Sequence, residues 1–146
     1  VIELTAVSVP PLPQPSALTR FFWDAIRQHR IEILRCDTCG HYVHYPRPIC
    51  EKCLGMQLSP SPVSGRGTLY SYTEVMQAFH PYFVDKLPYV LAVIELPEQA
   101  GLRITTAMVD YEPAELRVGL PVEVVFTDIA PDVTLPYFRP VRGAKS

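Results

Sequence analysis

All four cysteines of the chain lie between Cys36 and Cys53, as Cys36-Asp37-Thr38-Cys39-Gly40 and, ten residues later, Cys50-Glu51-Lys52-Cys53-Leu54-Gly55. A two-residue spacing lets one tight turn aim two thiolates at one point. Two such turns facing each other make a tetrahedral four-sulfur cage, with metal–sulfur distances of about 2.3 Å for zinc. Gly40 and Gly55 follow the two pairs, where a backbone folding round a metal often needs positive φ. The pattern reads as a zinc ribbon with Cys36, Cys39, Cys50 and Cys53 as ligands. Two disulfides or four inert thiols are the competing reading, which the paired turns and the lack of an export signal oppose. Iron in a rubredoxin-like site is the chemical rival, because a tetrahedral sulfur cage accepts either metal. A site closed by four protein ligands has no position for water or substrate, so it is structural and its binding energy is folding energy. The most conspicuous motif therefore argues against metal catalysis.

The 146 residues suffice for one ordinary domain or two small ones. With 48% hydrophobic and 19% charged residues the chain packs a core and is not disordered, while sixteen prolines disfavour a mainly helical fold. No apolar run approaches the ~20 residues that span a bilayer. The start, Val1 to Pro10, lacks the flanks of a signal peptide, and with reduced cysteines this points to the cytoplasm. The chain does not begin with Met, which fits a processed chain or a piece of a longer polypeptide. Its net charge of −2 hides a division: Arg20 to Arg66 holds seven basic and four acidic residues, Gly67 to Arg139 four basic and ten acidic. A basic front and an acidic back suggest two modules.

The chain divides into an extended arm (1–15), a helix plus ribbon (16–64), a barrel (65–141) and a tail (142–146). Four prolines between Pro10 and Pro15 exclude a helix in the arm. Ser16 reads as an N-cap and Ala17 to Arg30 as a helix, with Leu18, Phe21, Phe22, Ala25, Ile26 and His29 on one stripe. Trp23 falls about 140° from Leu18, among arginines and off that stripe. It packs on the ribbon or arm, or meets a partner or anionic ligand together with Arg27. Ile31–Arg35 and His41–Tyr45 read as ribbon strands. His41 and His44 are metal-competent, but four cysteines already fill the site.

After Gly65-Arg66-Gly67 come five strand-like runs rich in Val, Ile, Tyr and Thr: 68–77, 89–96, 102–109, 122–127 and 135–141. A short helical piece, Pro113–Leu116, separates the third from the fourth. The fold class is thus mainly β: an N-terminal helix and a rubredoxin-like zinc ribbon, followed by a five-stranded OB-fold barrel, with an SH3-like barrel as the alternative. The connection Ala78–Pro88 carries Phe79, His80, Tyr82 and Phe83. In an OB barrel it borders the ligand-binding face, so it either packs on its own barrel or offers an aromatic surface to a partner or bulky apolar ligand.

No Gly-rich phosphate loop, Gly-x-Ser-x-Gly elbow or His-Glu-x-x-His occurs, and the cysteines are committed to the ribbon. Single-stranded nucleic acid needs a basic groove with stacking aromatics, and the net −6 barrel repels phosphate.

The order of these parts resembles one family. Its carriers are Phe-Phe-Trp-Asp-Ala-Ile in the helix, the ribbon with Tyr45–Cys53, Ser64–Thr73, and Val118–Phe126. The chain is similar, over residues 16–128, to the family known as domain of unknown function thirty-five (DUF35), the acyl-CoA-associated zinc-ribbon and OB-fold proteins. The resemblance implies a structural zinc on the four cysteines and no catalytic residues. It also implies a hetero-oligomeric partner of the thiolase superfamily, fusion to or association with a MaoC-like hydratase, and acyl-CoA at the interface. Neither nucleic acid nor membrane is implied. The segment Thr134–Pro140 resembles the subgroup that supports retro-aldol cleavage of a steroid side-chain CoA thioester. A stand-alone acyl-CoA-binding protein is the alternative. Contacts at Trp23, Arg27, Phe79, His80, Tyr82 and Phe83 rest on position and chemistry only.

Overall fold

The computed structural model of the chain describes residues 9–142. Residues 1–8 of the expected arm and 143–146 of the expected tail lie outside the described residues.

The helix α1 (Arg20–Arg27) is shorter than the sequence pattern suggests. Thr19, not Ser16, is its N-cap, because Ser16 closes a separate turn: the Thr19 N–H donates to Ser16 O at 3.2 Å and the Ser16 N–H to Thr19 Oγ1 at 2.9 Å. At the other end His29 takes φ +59° and the Arg30 N–H returns to Ala25 O at 2.9 Å, which ends the helix in a left-handed cap. Phe22, Ala25 and Ile26 are buried, but Leu18 and His29 fall outside the helix and leave the expected stripe.

Strands β1 (Ile31–Cys36), β2 (Tyr42–Val43) and β3 (Leu58–Val63) form an antiparallel ribbon in the order β2-β1-β3. Pro60 and Pro62 are tolerated in β3 because it is an edge strand with one neighbour. The Gln99 side chain stands in for a further neighbour of β2: its Oε1 accepts the Tyr42 N–H at 2.8 Å and its Nε2 donates to Tyr42 O at 3.1 Å.

Strands β4 (Arg66–Val75), β5 (Tyr89–Glu95), β6 (Arg103–Met108), β7 (Pro121–Ala130) and β8 (Val133–Pro140) close a barrel in the order β4-β5-β6-β8-β7. The β6–β8 pairing is parallel, at Met108 and Phe138, and a 3₁₀ turn at Pro113–Glu115 bridges β6 to β7. Closure in this order is consistent with the OB-fold. Gly67 lets β4 cross β5 closely, since a Cβ there would lie 2.5 Å from Ile94 Cγ2 and 2.8 Å from Glu95 O.

Leu69, Val90, Ile94, Val122 and Phe138 are fully enclosed in the barrel, and one continuous core joins them to Phe22, Ile26, Ile31 and Ile33 of the helix and ribbon. The β7–β8 hairpin runs past the expected strand ends at Thr127 and Leu135 to pair Ala130 with Val133. Asp128 hides this extension because it is a poor strand former, yet its carboxylate is satisfied by the Thr134 hydroxyl at 2.6 Å. The hairpin reaches the helix, where the His29 ring stacks on Phe126 with centroids 5.1 Å apart. Arg142 is held by the Glu115 carboxylate and by Asp110 O.

Candidate metal centre and apolar cleft

The two knuckles bring four sulfurs together. One ligand atom from each of Cys36, Cys39, Cys50 and Cys53 lies within 4.8 Å of all the others, with Cys36 Sγ–Cys53 Sγ at 3.5 Å and Cys39 Sγ–Cys50 Sγ at 3.6 Å. A zinc–sulfur distance near 2.3 Å requires tetrahedron edges of about 3.8 Å, so the cage fits zinc. The backbone prepares the charge. The Cys39 N–H, against the opposing effect of burial, holds the Cys36 thiol down at about 6. The Gly55 N–H favours the Cys53 thiolate, but the crowding thiols, Cys36 first, push it up to about 12. Four sulfurs this close do not all ionise without a counter-charge, and a divalent cation supplies it.

Gly40 has φ +75° as expected, but at the second knuckle Leu54, with φ +63°, takes the left-handed position. Gly55 is needed for space: a Cβ there would lie 3.2 Å from Cys53 Sγ and 3.5 Å from Cys36 Sγ. Among the described residues neither His41 nor His44 joins the sulfur cluster. His41 faces Glu51 at 3.2 Å.

A cleft of about 450 Å³ opens between α1, the segment after β2, and the barrel face of β5, β6 and β8. Phe22 and Trp23 form one wall, His44 and Tyr45 another, Phe83 and Tyr89 a third, over a floor that includes Leu91 and Ala107. Among the described residues neither Asp, Glu, Lys nor Arg lines it. The Tyr45 hydroxyl donates to Thr105 Oγ1 at 3.1 Å and the Thr106 hydroxyl to Pro136 O at 2.6 Å, so both donors are satisfied within the protein. Burial lowers the His44 pKa to about 4 and raises that of Tyr137, and both rings are uncharged at neutral pH. Among its described lining residues neither Ser nor Cys is present, and the His44 Nε2 has no hydrogen-bond partner.

Of the residues expected at a binding surface, Trp23 and Phe83 line this cleft. Trp23 stands edge-on to Phe22 with centroids 5.1 Å apart, partly buried against the core rather than off it. Arg27 is not in the cleft. It borders a smaller crevice of about 190 Å³ between Pro13, Pro15, Trp23 and the β7–β8 hairpin, and its Nη2 lies 3.8 Å from Asp132. His80 caps the 3₁₀ turn Pro81–Lys86 by accepting the Tyr82 N–H at 3.2 Å, while Lys86 Nζ sits 3.9 Å above the Tyr82 ring. Phe79 is 84% exposed. Tyr45, Tyr89, Leu91 and Tyr137 also line the cleft, and no spacing in the sequence marks them as a group. His44 stood out there only as a metal-competent side chain.

A family model described as "ChsH2, rubredoxin-like zinc ribbon domain" matches residues 23–59, and one described as "ChsH2, C-terminal OB-fold domain" matches residues 61–127. A "DUF35 domain-containing scaffold protein" of Methanocaldococcus jannaschii is 35% identical over 129 residues, covering 83% of this chain and 89% of that one. The chain belongs to the DUF35 family. The metal of this ribbon is accordingly a structural zinc. A "Probable enoyl-CoA hydratase alpha subunit" of Thermomonospora curvata is 35% identical over 130 residues, 89% of this chain. A "3-oxo-4,17-pregnadiene-20-carboxyl-CoA hydratase alpha subunit" of Mycobacterium tuberculosis is 31% identical over 88% of this chain. The DUF35 chain spans only 40% and 39% of the length of these two subunits. Among solved structures it superposes on the "Ltp2-ChsH2(DUF35) aldolase" with a TM-score of 0.79 and 34% identity, covering 88% of this chain and 98% of that one.

Proposed function

We propose that this DUF35 chain is a non-catalytic zinc-ribbon and OB-fold subunit or domain that docks on a thiolase-like enzyme and supports its reaction on an acyl-CoA. The most specific form of the reading is retro-aldol cleavage of a steroid side-chain CoA thioester. The likeness to nearly the whole of a DUF35 chain in an aldolase structure carries it. A cage of four sulfurs, with no further donor joining the cluster among the described residues, supports it, as does a mostly apolar cleft. Cys36, Cys39, Cys50 and Cys53 hold the zinc. Trp23, Arg27 and the Phe79–Phe83 segment contact the partner or the ligand. The catalytic acid and base belong to the partner, and this chain orders the partner's loops and walls the substrate channel, which is preorganisation and not chemistry. The length of the hydratase relatives supports a place for it in a longer hydratase-like polypeptide, or beside one. Four unpaired cysteines gathered for a metal favour a cytoplasmic setting.

The apolar cleft favours a second reading, a stand-alone acyl-CoA-binding protein. The net −6 barrel and a cleft without Lys or Arg oppose single-stranded nucleic acid. The test is co-expression with a thiolase-like enzyme from the same source, followed by co-purification and an aldolase assay. The expected result is a stable complex whose activity needs both chains. Turnover of a thioester by this chain unaided overturns the scaffold reading.

A further inference from the structure

We infer that the cleft between α1, the ribbon and the barrel is a subsite for the uncharged hydrocarbon part of the ligand, and that the charged nucleotide end of a CoA thioester lies outside this cleft. The inference rests on the reading that the chain serves acyl-thioester chemistry, and it deepens that reading by separating the two ends of the ligand.

Three observations carry it. The volume of about 450 Å³ lies within the range of small-molecule sites, roughly 300–1,000 Å³, and the lining is almost wholly apolar and aromatic. Among its described lining residues no side chain carries a formal charge: His44 is the one imidazole, and its Nε2 is enclosed with no hydrogen-bond partner, so an imidazolium there would be unpaired. A diphosphate or ribose phosphate placed here would likewise meet no cation. Finally, the Tyr45 and Thr106 hydroxyls donate within the protein, which leaves few groups to receive the N–H and C=O of an inserted peptide. A hydrocarbon makes no such demand, so the cleft favours a small apolar group over a segment of the partner.

Trp23 is the only tryptophan in the chain and lines the cleft, so its emission reports occupancy without a label. The zinc-loaded full chain is titrated with progesterone, methyl decanoate, decanoyl-CoA and free CoA. The expected result is a saturable change in Trp23 emission with at least one neutral probe. Decanoyl-CoA should bind no better than methyl decanoate, and free CoA should give no change. Whether progesterone or methyl decanoate binds tells a ring system from a chain. Leu91→Glu, at a floor residue 41% exposed and so tolerant of a charge, should weaken the neutral probes about tenfold or more. Ala107→Phe should do the same by filling the cleft, and Val118→Ser, at an exposed position outside the cleft, should leave binding unchanged.

Binding of free CoA, or decanoyl-CoA about tenfold tighter than methyl decanoate, overturns the division of the ligand. No response to either neutral probe overturns the subsite. If the wild type then captures the partner and Leu91→Glu does not, the cleft is a docking surface and the scaffold reading stands. Failure of the wild type to capture a partner removes the scaffold reading whatever Trp23 reports.

Discussion

The ribbon and the barrel hold themselves together by different means. The ribbon has three short strands, one of them only Tyr42–Val43, and its two knuckles meet at four sulfurs. The barrel closes on itself, each strand pairs on both sides, and its centre is filled by Leu69, Val90, Ile94, Val122 and Phe138. One region borrows its stability from an ion while the other generates it from apolar burial. Yet the cores are continuous through Phe22, Ile26, Ile31 and Ile33, so the difference is one of degree at the junction. That junction is also where the cleft lies.

The largest expected effect tests the ribbon's dependence on metal. Structural zinc contributes an apparent ~10–16 kcal/mol in small metal-dependent domains. Chelation, or Cys50→Ser at a fully enclosed sulfur, should abolish hydrogen-exchange protection across residues 31–63 while strands β5 and β6 stay protected. An unchanged circular dichroism spectrum after chelation would refute metal-dependent folding. Loss of the barrel as well would show one cooperative unit. Metal analysis should return zinc in a colourless protein.

Next comes the barrel's own centre. Phe138→Ala empties a completely enclosed site where β6, β7 and β8 meet and should cost about 3–5 kcal/mol, read as a lower denaturant midpoint. Retention of zinc by this variant under native conditions would keep the two regions separate.

A third effect belongs to the junction. As pH falls, the unfolded chain protonates His44 near 6.5 but the folded chain only near 4, so the unfolded state binds more protons in that window. The contribution is complete above pH 6.5 and disappears between 6.5 and about 4, at most roughly 3 kcal/mol for the partly shielded ring. His44→Phe should flatten the difference in stability between pH 7 and pH 5; an equally steep slope in wild type and variant counts against it.

The smallest effect is at the exposed Arg27–Asp132 pair, 3.8 Å apart. Arg27→Ala should change stability by under about 1 kcal/mol. A larger loss, measured by thermal melting, would mean that the hairpin clamps the helix more firmly than its charges suggest.

What could be read from the chain was whatever rests on local chemistry. Two C-x-x-C turns define a four-sulfur cage because each pair is shaped by its own knuckle, and runs rich in Val, Ile, Tyr and Thr between turn residues mark five strands because such side chains fit a pleated surface. Local reading erred where packing overrides propensity: at the ends of α1, at Leu54 in place of Gly55, and at Asp128 inside the long hairpin. The cleft was out of reach. Phe22, Tyr45, Phe83, Leu91, Thr105 and Pro136 come from six separate stretches, and no spacing along the chain ties them to one another. Only closure of the barrel against helix and ribbon sets their apolar faces opposite one another without filling the gap, because cavity shape depends on the relative placement of whole elements and not on the period of any one of them.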